Sequence, residues 1–301
     1  MKKSKRGLSL CMLIASMLIF GTVGICRKYI SVGSLTLAWI RGLVGAVFLA
    51  LFCAIRGKKL FRSVSGSRML WLLLSGAAIG LNWYLLFESF SYTTVSVGTL
   101  VYYMEPTLVI LLSALFLKER LTGRKILCML AALVGMVLVS GVLEGSLPQN
   151  GTRGILLAFG AALLYTCVVL LNKKIKGVDA YDKTILQMAA ASIVLLPLIL
   201  TNLLQNGISV FPTTPKEILL SVGMGIVHTG IAYALYFGSM DGLEARTVAL
   251  FSYIDPVTAL LLSAAVLGEK MTVWGIVGAV LIIGAALLSE ILPDRKRKGT
   301  G

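Results

Sequence analysis

The sequence has few of the residues on which soluble enzymes depend. Only 14% of its 301 residues are charged, against about a quarter in soluble domains, and it contains a single histidine. It also lacks a GxxxxGK[ST] phosphate loop and the HExxH and GxSxG motifs. These gaps argue against ATP hydrolysis, a multi-histidine metal centre and a Ser-His catalytic pair. We therefore predict that the chain is not an enzyme and holds no metal or cofactor.

Cysteine is scarce as well. The five cysteines are odd in number, show no CxxC spacing, and lie within or at the ends of apolar segments. A disulfide framework or a zinc site needs paired or clustered cysteines. We therefore interpret them as small buried apolar residues.

Long apolar runs dominate what is present. Hydrophobic residues make up 57% of the chain and the mean hydropathy is +0.91, more than a soluble core of this length can bury. Each apolar run is close to the ~20 residues that a helix needs to cross a bilayer, so we predict an all-α integral membrane protein with ten transmembrane helices. The ten segments run over roughly 8–26, 34–55, 69–90, 93–117, 123–143, 154–172, 180–201, 216–238, 246–267 and 271–292.

The first segment has an alternative interpretation as a signal peptide, because it follows the basic run KKSKR at residues 2–6. No clear small-residue cleavage site follows it, and a similar segment opens the second half at Gly154. We therefore count it as the first transmembrane helix.

The net charge of +15 is distributed unevenly over the predicted loops. With a cytoplasmic N-terminus, 22 of the 28 lysines and arginines fall on the inner side and five on the outer side, while Arg41 lies within the second segment. Such a bias fixes the orientation by the positive-inside rule, and it accounts for the basic charge without a nucleic-acid partner. We predict an integral protein of the bacterial plasma membrane with both termini in the cytoplasm.

The sequence repeats itself at half its length. Residues 103–122 and 253–272 align without a gap at an offset of 150, and nine of the twenty positions are identical. Internal repetition indicates duplication, which predicts two five-helix repeats at 1–145 and 146–301, the second with a basic cytoplasmic tail. Five helices per repeat place the two copies in opposite orientations. Inverted repeats recur in secondary transporters, whose substrate sites lie near the bilayer midplane.

Each repeat carries a carboxylate next to a proline in its fourth apolar segment, as Glu105-Pro106 and Asp255-Pro256. Both pairs lie in the middle third of the predicted bilayer. Proline removes a backbone donor and disfavours helical geometry in the residue before it, so we expect both helices to kink or partly unwind there. A carboxylate at this depth is costly and should face the protein interior, find a partner or carry a proton. The alternative is a structural kink with a buried, protonated acid.

Further polar side chains are predicted at a similar depth. Asn82 and His228 are candidate substrate contacts, with interhelical or core hydrogen bonding as the alternative for each. Arg41 has three open roles, which are a pair with Glu88, snorkelling to the outer headgroups, or binding an anionic group of the cargo.

Aromatic residues crowd the same helices, and carboxylates with aromatic rings suit an amphipathic or cationic organic molecule. Those beside the proline kinks are the best candidates for lining a cavity, namely Tyr102, Tyr103 and Tyr253. The same helices also carry Trp83, Tyr165, Tyr233 and Tyr236.

The repeated segments EPTLVILLSALFLKERLT (105–122) and DPVTALLLSAAVLGEKMT (255–272) resemble the signature of the EamA-type drug/metabolite transporter superfamily. That signature combines a proline in the fourth helix of each repeat, a small apolar run and a G-E-x-x-T-type corner. Lys118 stands at the usual glycine of the first corner. The resemblance implies a ten-helix inverted-repeat carrier whose helices 3, 4, 8 and 9 surround a central cavity.

The two corners are predicted to be structural features at the membrane interface. Each contains a glutamate and a threonine, as Glu119 with Thr122 and Glu269 with Thr272. Both threonines are expected to cap the helix that follows.

These observations predict a secondary active transporter that exports a small organic metabolite, amino-acid or drug-like, by alternating access. Glu105 is the first candidate for the cargo or proton group, Asp255 is its partner in the other repeat, and Pro106 and Pro256 are the flexing points. The expected partners are a small-molecule substrate, membrane lipid and a proton as candidate coupling ion. The alternative is a non-transporting membrane protein, either a lipid-modifying enzyme or a scaffold in a larger complex.

Overall fold

The computed structural model describes residues 2–62, 64, 66–117, 123–139, 150–240, 243 and 245–291. These residues form helices and their connections, and no strand occurs among them. The α-helices are α1 (Lys2–Gly21), α2 (Val23–Lys28), α3 (Ser34–Ile55), α4 (Gly66–Ser89), α5 (Val95–Tyr102), α6 (Glu105–Leu117), α7 (Gly123–Val139), α8 (Gly151–Lys174), α9 (Ala180–Asn206), α10 (Pro215–Met224), α11 (Ala232–Met240), α12 (Ala245–Ser252), α13 (Ile254–Leu267) and α14 (Val273–Ile291). A 3-10 segment, Gly207–Val210, follows α9, and a π-helical segment, Gly225–Ile231, joins α10 to α11.

Seven of the described helical segments are long and apolar enough to cross a membrane. They are Arg6–Lys28, Ser34–Ile55, Arg68–Ser89, Val95–Leu112, Gly151–Asn172, Ala180–Val210 and Pro215–Ser239. Three shorter apolar helices cover Ile126–Val139, Ile254–Leu267 and Val273–Leu288. These ranges overlap the ten predicted segments, and the predicted class of helical membrane protein is confirmed.

The outward faces of these helices carry large apolar side chains. Ile55, Leu115, Leu204 and Val273 are each more than two-thirds exposed, Leu204 to 85%. Apolar surface on this scale is unfavourable in water and is satisfied by contact with lipid chains. The exposed faces therefore suit a bilayer rather than an aqueous surrounding.

Two helix breaks lie directly before the membrane prolines. α5 ends at Tyr102 and α6 begins at Glu105, while α12 ends at Ser252 and α13 begins at Ile254. Proline lacks the N–H that would bond to the carbonyl four residues earlier, so continuous helix is interrupted at this point. The predicted unwinding at Pro106 and Pro256 is confirmed, and their role as flexing points stays a prediction.

Two further irregularities were not predicted from the sequence. The first apolar segment is divided at Thr22, whose Oγ1 donates to the carbonyl of Ile19 at 2.7 Å. The eighth segment contains the π-helical turn Gly225–Ile231. Turns of this type inside α-helices often occur at functional positions because they rotate the following side chains away from the regular register.

Helices from the two predicted repeats pack closely against each other. α4 packs against α8 and α9, α3 packs against α9, and α1 packs against α11 and α13. α7 lies along α14, where Gly135 and Gly278 permit a close backbone approach. The predicted repeat boundary near 145 lies outside the described residues and stays a prediction.

The structure describes one of the two predicted corners. Thr272 Oγ1 accepts a hydrogen bond from the backbone N–H of Gly275 at 3.0 Å, so the predicted cap of α14 is confirmed. The other corner, with Lys118, Glu119 and Thr122, lies outside the described residues.

Candidate functional site

A cavity of about 360 Å³ lies beside the two proline breaks. Side chains from α1, α3, α4, α8 and α11 complete its wall around the broken helices. Six of the predicted site residues line it, namely Tyr102, Tyr103, Glu105, Pro106, Tyr253 and Asp255. Its volume falls within the ~300–1,000 Å³ range of small-molecule pockets.

The two carboxylates occupy equivalent places in the broken helices. Glu105 is the first residue of α6 and Asp255 is the second residue of α13. The N-terminus of a helix carries a partial positive charge, which stabilises a carboxylate in its first turn. The proline break therefore both opens the backbone and creates a favourable position for an acid beside the cavity.

Asp255 is held by a tyrosine from the opposite half of the chain. The Tyr103 hydroxyl donates to Asp255 Oδ2 at 2.5 Å, across 152 residues of sequence. Because Tyr103 sits in the α5–α6 break, the two breaks contact each other directly at the cavity wall.

Arg41 is a buried cation in this cavity, with only 5% of its surface exposed. Its Nε donates to Thr229 Oγ1 at 2.8 Å, and its guanidinium lies over the rings of Trp83 at 4.5 Å and Phe87 at 5.7 Å from their centroids. Among the described residues no salt bridge joins it to Glu88. Arg41 therefore lies buried in the cavity wall, and a role in binding the cargo stays a prediction.

Aromatic rings form much of the remaining wall. The rings of Tyr102 and Tyr103 meet edge to face at 6.0 Å between centroids, and Tyr102 also contacts Tyr165 at 5.9 Å. Tyr233 and Tyr236 of α11 complete this group. Rings of this kind offer apolar faces to a ligand and hydroxyl groups for hydrogen bonds, a combination suited to an amphipathic molecule.

Asn82 and His228 do not line this cavity in the described structure. Asn82 is fully buried, and its Nδ2 donates to the carbonyl of Ala161 at 2.6 Å. His228 Nε2 contacts Thr22 Oγ1 at 2.8 Å and Cys26 Sγ at 3.6 Å. These contacts join helices, and a substrate role for either residue stays a prediction. Among the described residues there is no group of three or more His, Cys, Asp or Glu suited to a metal ion.

A second cavity of about 270 Å³ adjoins the first. The two cavities share the side chains of Trp83, Tyr165, Tyr233 and Tyr236. Beyond these shared residues, the wall of the second cavity includes the polar side chains of Lys183, Asn172 and Gln187. Gln187 Nε2 donates to Asn172 Oδ1 at 2.8 Å and to Ser75 Oγ at 2.6 Å, which fixes the buried amide. The second cavity thus lies between the central cavity and the start of α9, next to the loop 175–179.

A different arrangement occurs where α5 begins. Glu269, in the corner after α13, accepts hydrogen bonds from the backbone N–H groups of Val95 and Ser96 at 2.8 and 2.9 Å and from Ser96 Oγ at 2.9 Å. Ser96 Oγ also lies 2.5 Å from Ser263 Oγ. The sequence predicts a structural corner at Glu269 but gives no sign of α5 as its partner, because the two segments are more than 170 residues apart.

Other parts of the cavity wall were not predicted for a local reason. Met17, Phe20 and Gly24 come from the first segment, which was expected to be an uninterrupted helix. The available signal was the interruption of apolar residues by Gly21, Thr22 and Gly24, which permits close packing and a bend.

The profile of the EamA-like transporter family matches residues 7–141 and 152–290. The chain belongs to the EamA-like transporter family. It is therefore a membrane transporter, as the repeated proline segments predicted. The residues that line the cavity come from both matched regions, and the predicted repeat bounds stay a prediction.

Relatives of this EamA protein include three bacterial proteins that are named as transporters or as an efflux pump. "Uncharacterized transporter YxxF" of Bacillus subtilis (strain 168) is 29% identical over 289 residues, which cover 96% of this chain and 91% of the relative. An "Uncharacterized transporter" of Vibrio cholerae is 31% identical over 75% of this chain and 73% of its own length. The "Probable amino-acid metabolite efflux pump" of Salmonella typhimurium is 29% identical over 62% of this chain and 64% of its own length.

A solved crystal structure shares the fold. It aligns with a TM-score of 0.63 at 21% sequence identity, covering 93% of this chain and 96% of the solved chain. The overall arrangement of helices in this EamA transporter is therefore found in another protein.

Proposed function

We propose that this transporter is an alternating-access carrier that exports a small amphoteric organic metabolite through the central cavity. The observation that carries this proposal is the position of Glu105 and Asp255, one from each predicted repeat, on the wall of a single cavity that also contains Arg41. Ionisable residues inside a membrane protein are costly and occur mainly where they bind substrate or ions. Glu105 and Asp255 supply the negative part of the site and Arg41 the positive part.

The arrangement of charges defines the class of cargo. A cationic amino group fits beside the carboxylates and the faces of the tyrosine rings, where cation–π contact adds to the attraction. An anionic group such as a carboxylate fits Arg41, whose planar guanidinium offers several donors. An amino acid or a derivative of one has both groups. The relative from Salmonella typhimurium, which is named as a probable amino-acid metabolite efflux pump, supports this choice.

The carrier is proposed to span the plasma membrane ten times, as two inverted five-helix repeats with both termini in the cytoplasm. The lysine and arginine bias and the 150-residue repeat support this topology. A proton is the proposed coupling ion, with Glu105 and Asp255 as its binding groups. The two breaks before Pro106 and Pro256 are the proposed flexing points.

The proposal is tested by a binding screen on the purified full chain. Amino acids, their amides and their decarboxylated amines are added separately, and the melting temperature is measured by intrinsic fluorescence. We expect stabilisation by a compound that has both an amino and a carboxylate group, and loss of this effect in Glu105→Gln or Asp255→Asn. Stabilisation that is unchanged in both variants would remove the assigned site. The amide and amine series shows whether both charges are needed.

A further inference from the structure

Helices α5 and α13 are joined by polar contacts along one side, from the cavity to the Glu269 corner. At the cavity, the Tyr103 hydroxyl donates a hydrogen bond to Asp255. Further from the cavity, the hydroxyl groups of Ser96 and Ser263 are hydrogen-bonded to each other. Beyond them, Glu269 accepts a hydrogen bond from the backbone N–H of Val95, the first residue of α5. Each contact joins the α5 segment to α13 or to the corner that follows α13. The two helices run antiparallel, since the start of α5 lies beside the end of α13.

These contacts close the space between the two helices at one end of the cavity. The cavity wall reaches Thr99 on α5 and Ala259 on α13. One turn beyond, Ser96 and Ser263 are fully or almost fully buried and their oxygens lie 2.5 Å apart. A cargo molecule cannot pass between side chains at that separation. In the other direction the central cavity adjoins the second cavity with Lys183 and Gln187.

The Glu269 cap contains the largest number of hydrogen bonds among these contacts. A carboxylate that accepts two backbone N–H bonds at a helix N-terminus combines charge-assisted hydrogen bonding with the favourable end of the helix dipole. Without it, two N–H groups at the start of a short eight-residue helix would lose their acceptor. Glu269 therefore fixes the position of α5 relative to α13.

We propose that α5 and α13 form the gate at the Glu269 end of the cavity, held shut by Glu269, Ser96 and Ser263, and that Tyr103 couples this gate to the occupation of Asp255. The coupling part rests on the proposed function. A cationic group of the cargo that binds the Asp255 carboxylate competes with the Tyr103 hydroxyl for the same oxygen. Occupation of the site then removes one of the attachments between the helices and favours opening at this end.

The gate is tested by labelling that needs no cargo. Thr99→Cys is introduced into a full chain whose five native cysteines are replaced by alanine, and a membrane-impermeant maleimide is applied to sealed vesicles of each orientation. From the Glu269 side we expect slow labelling. Adding Glu269→Gln should raise that rate about tenfold, the factor expected when one charge-assisted hydrogen bond is lost. Tyr103→Phe should also raise the labelling rate from the Glu269 side.

The matched control is Glu217→Gln. Glu217 also caps the start of a helix, but its partners are Thr213 and Thr214 in the same segment, so its change should leave the labelling rate unaltered. An unchanged rate in Glu269→Gln overturns the gate, and so does an equal rise from both sides, because general loosening of the fold would expose the cysteine in both directions. Absence of any transported cargo would instead contradict the proposed function and leave the labelling result to decide the gate.

Discussion

Neutral side chains contact Arg41 on several sides. Thr229 Oγ1 accepts a hydrogen bond from the Arg41 Nε–H, and the rings of Trp83 and Phe87 lie against the guanidinium group. Arg41 also lines the central cavity. A planar group supported in this way loses little side-chain entropy when it binds a carboxylate. Its position is therefore suited to cargo recognition.

We predict that Arg41→Gln weakens binding of the amphoteric cargo by about tenfold or more, since a hydrogen bond to a charged group contributes about 1.5–3 kcal/mol. Arg41→Lys should recover only part of the loss, because lysine keeps the charge without the planar stacking or the Nε–H. Affinity is measured by isothermal titration with the compound found in the binding screen. Arg56→Gln is the control, because Arg56 stacks on Phe52 in an exposed position outside both cavities. Equal affinity in wild type and Arg41→Gln would remove Arg41 from the site.

The short helix α5 is the element on which the gate depends. Its polar contacts with α13 and the following corner form a continuous row in the conformation described here. A covalent link between the two helices should therefore hold the molecule in that conformation.

We predict that Ser96→Cys combined with Ser263→Cys forms a disulfide on oxidation, because the two hydroxyl oxygens already lie 2.5 Å apart. The linked protein should bind cargo but not transport it, and reduction should restore transport. The measurement is counterflow in proteoliposomes before and after a reductant, in a background without the native cysteines. Each single variant serves as a control. Full transport by the linked form would show that α5 and α13 need not separate.

The pair α7 and α14 is fixed by close backbone contact. A Cβ atom on Gly135 would lie 2.7 Å from the carbonyl oxygen of Gly278, whereas a Cβ on Gly284 of α14 meets nothing within 4 Å. A contact as short as the first forces the helices apart. The second position has space for a methyl group.

We predict that Gly135→Ala lowers the stability of the protein by about 1–3 kcal/mol, even though alanine favours helix more than glycine does. Gly284→Ala should be neutral or slightly stabilising. The difference is read as a shift in melting temperature of the detergent-solubilised protein. Equal melting temperatures in the two variants would contradict the close approach of α7 and α14.

At the level of the whole molecule, the sequence predicted the class and the position of the acids better than the connections between distant segments. Long apolar runs indicate membrane helices directly, and a proline after an acid limits the local backbone. Both signals are local. The apolar runs agree with the helices of the structure, and the acid–proline pairs agree with the helix breaks at Tyr103 and Tyr253. The 150-residue repeat added the expectation that Glu105 and Asp255 face a common space.

The parts that could not be predicted depend on contacts between residues far apart in the chain. Glu269 and Val95 meet only when the helices pack, and no spacing in the sequence identifies that pair. The π-helical turn at Gly225–Ile231 is another such feature, since small shifts in side-chain packing decide between regular and wider helical turns. The role of Arg41 stayed open because helix depth alone does not determine which neighbours surround a side chain.

The central claim is that Glu105 and Asp255 form the transport site of a carrier. It is tested most directly by counterflow in proteoliposomes that contain the full chain, with the labelled amphoteric compound outside and an excess of the same compound inside. We predict transient accumulation by wild-type protein and by Glu217→Gln, and a loss of at least about tenfold in Glu105→Gln and Asp255→Asn, the factor expected when a charged hydrogen-bond partner is removed. Wild-type accumulation in both cavity variants would contradict the account.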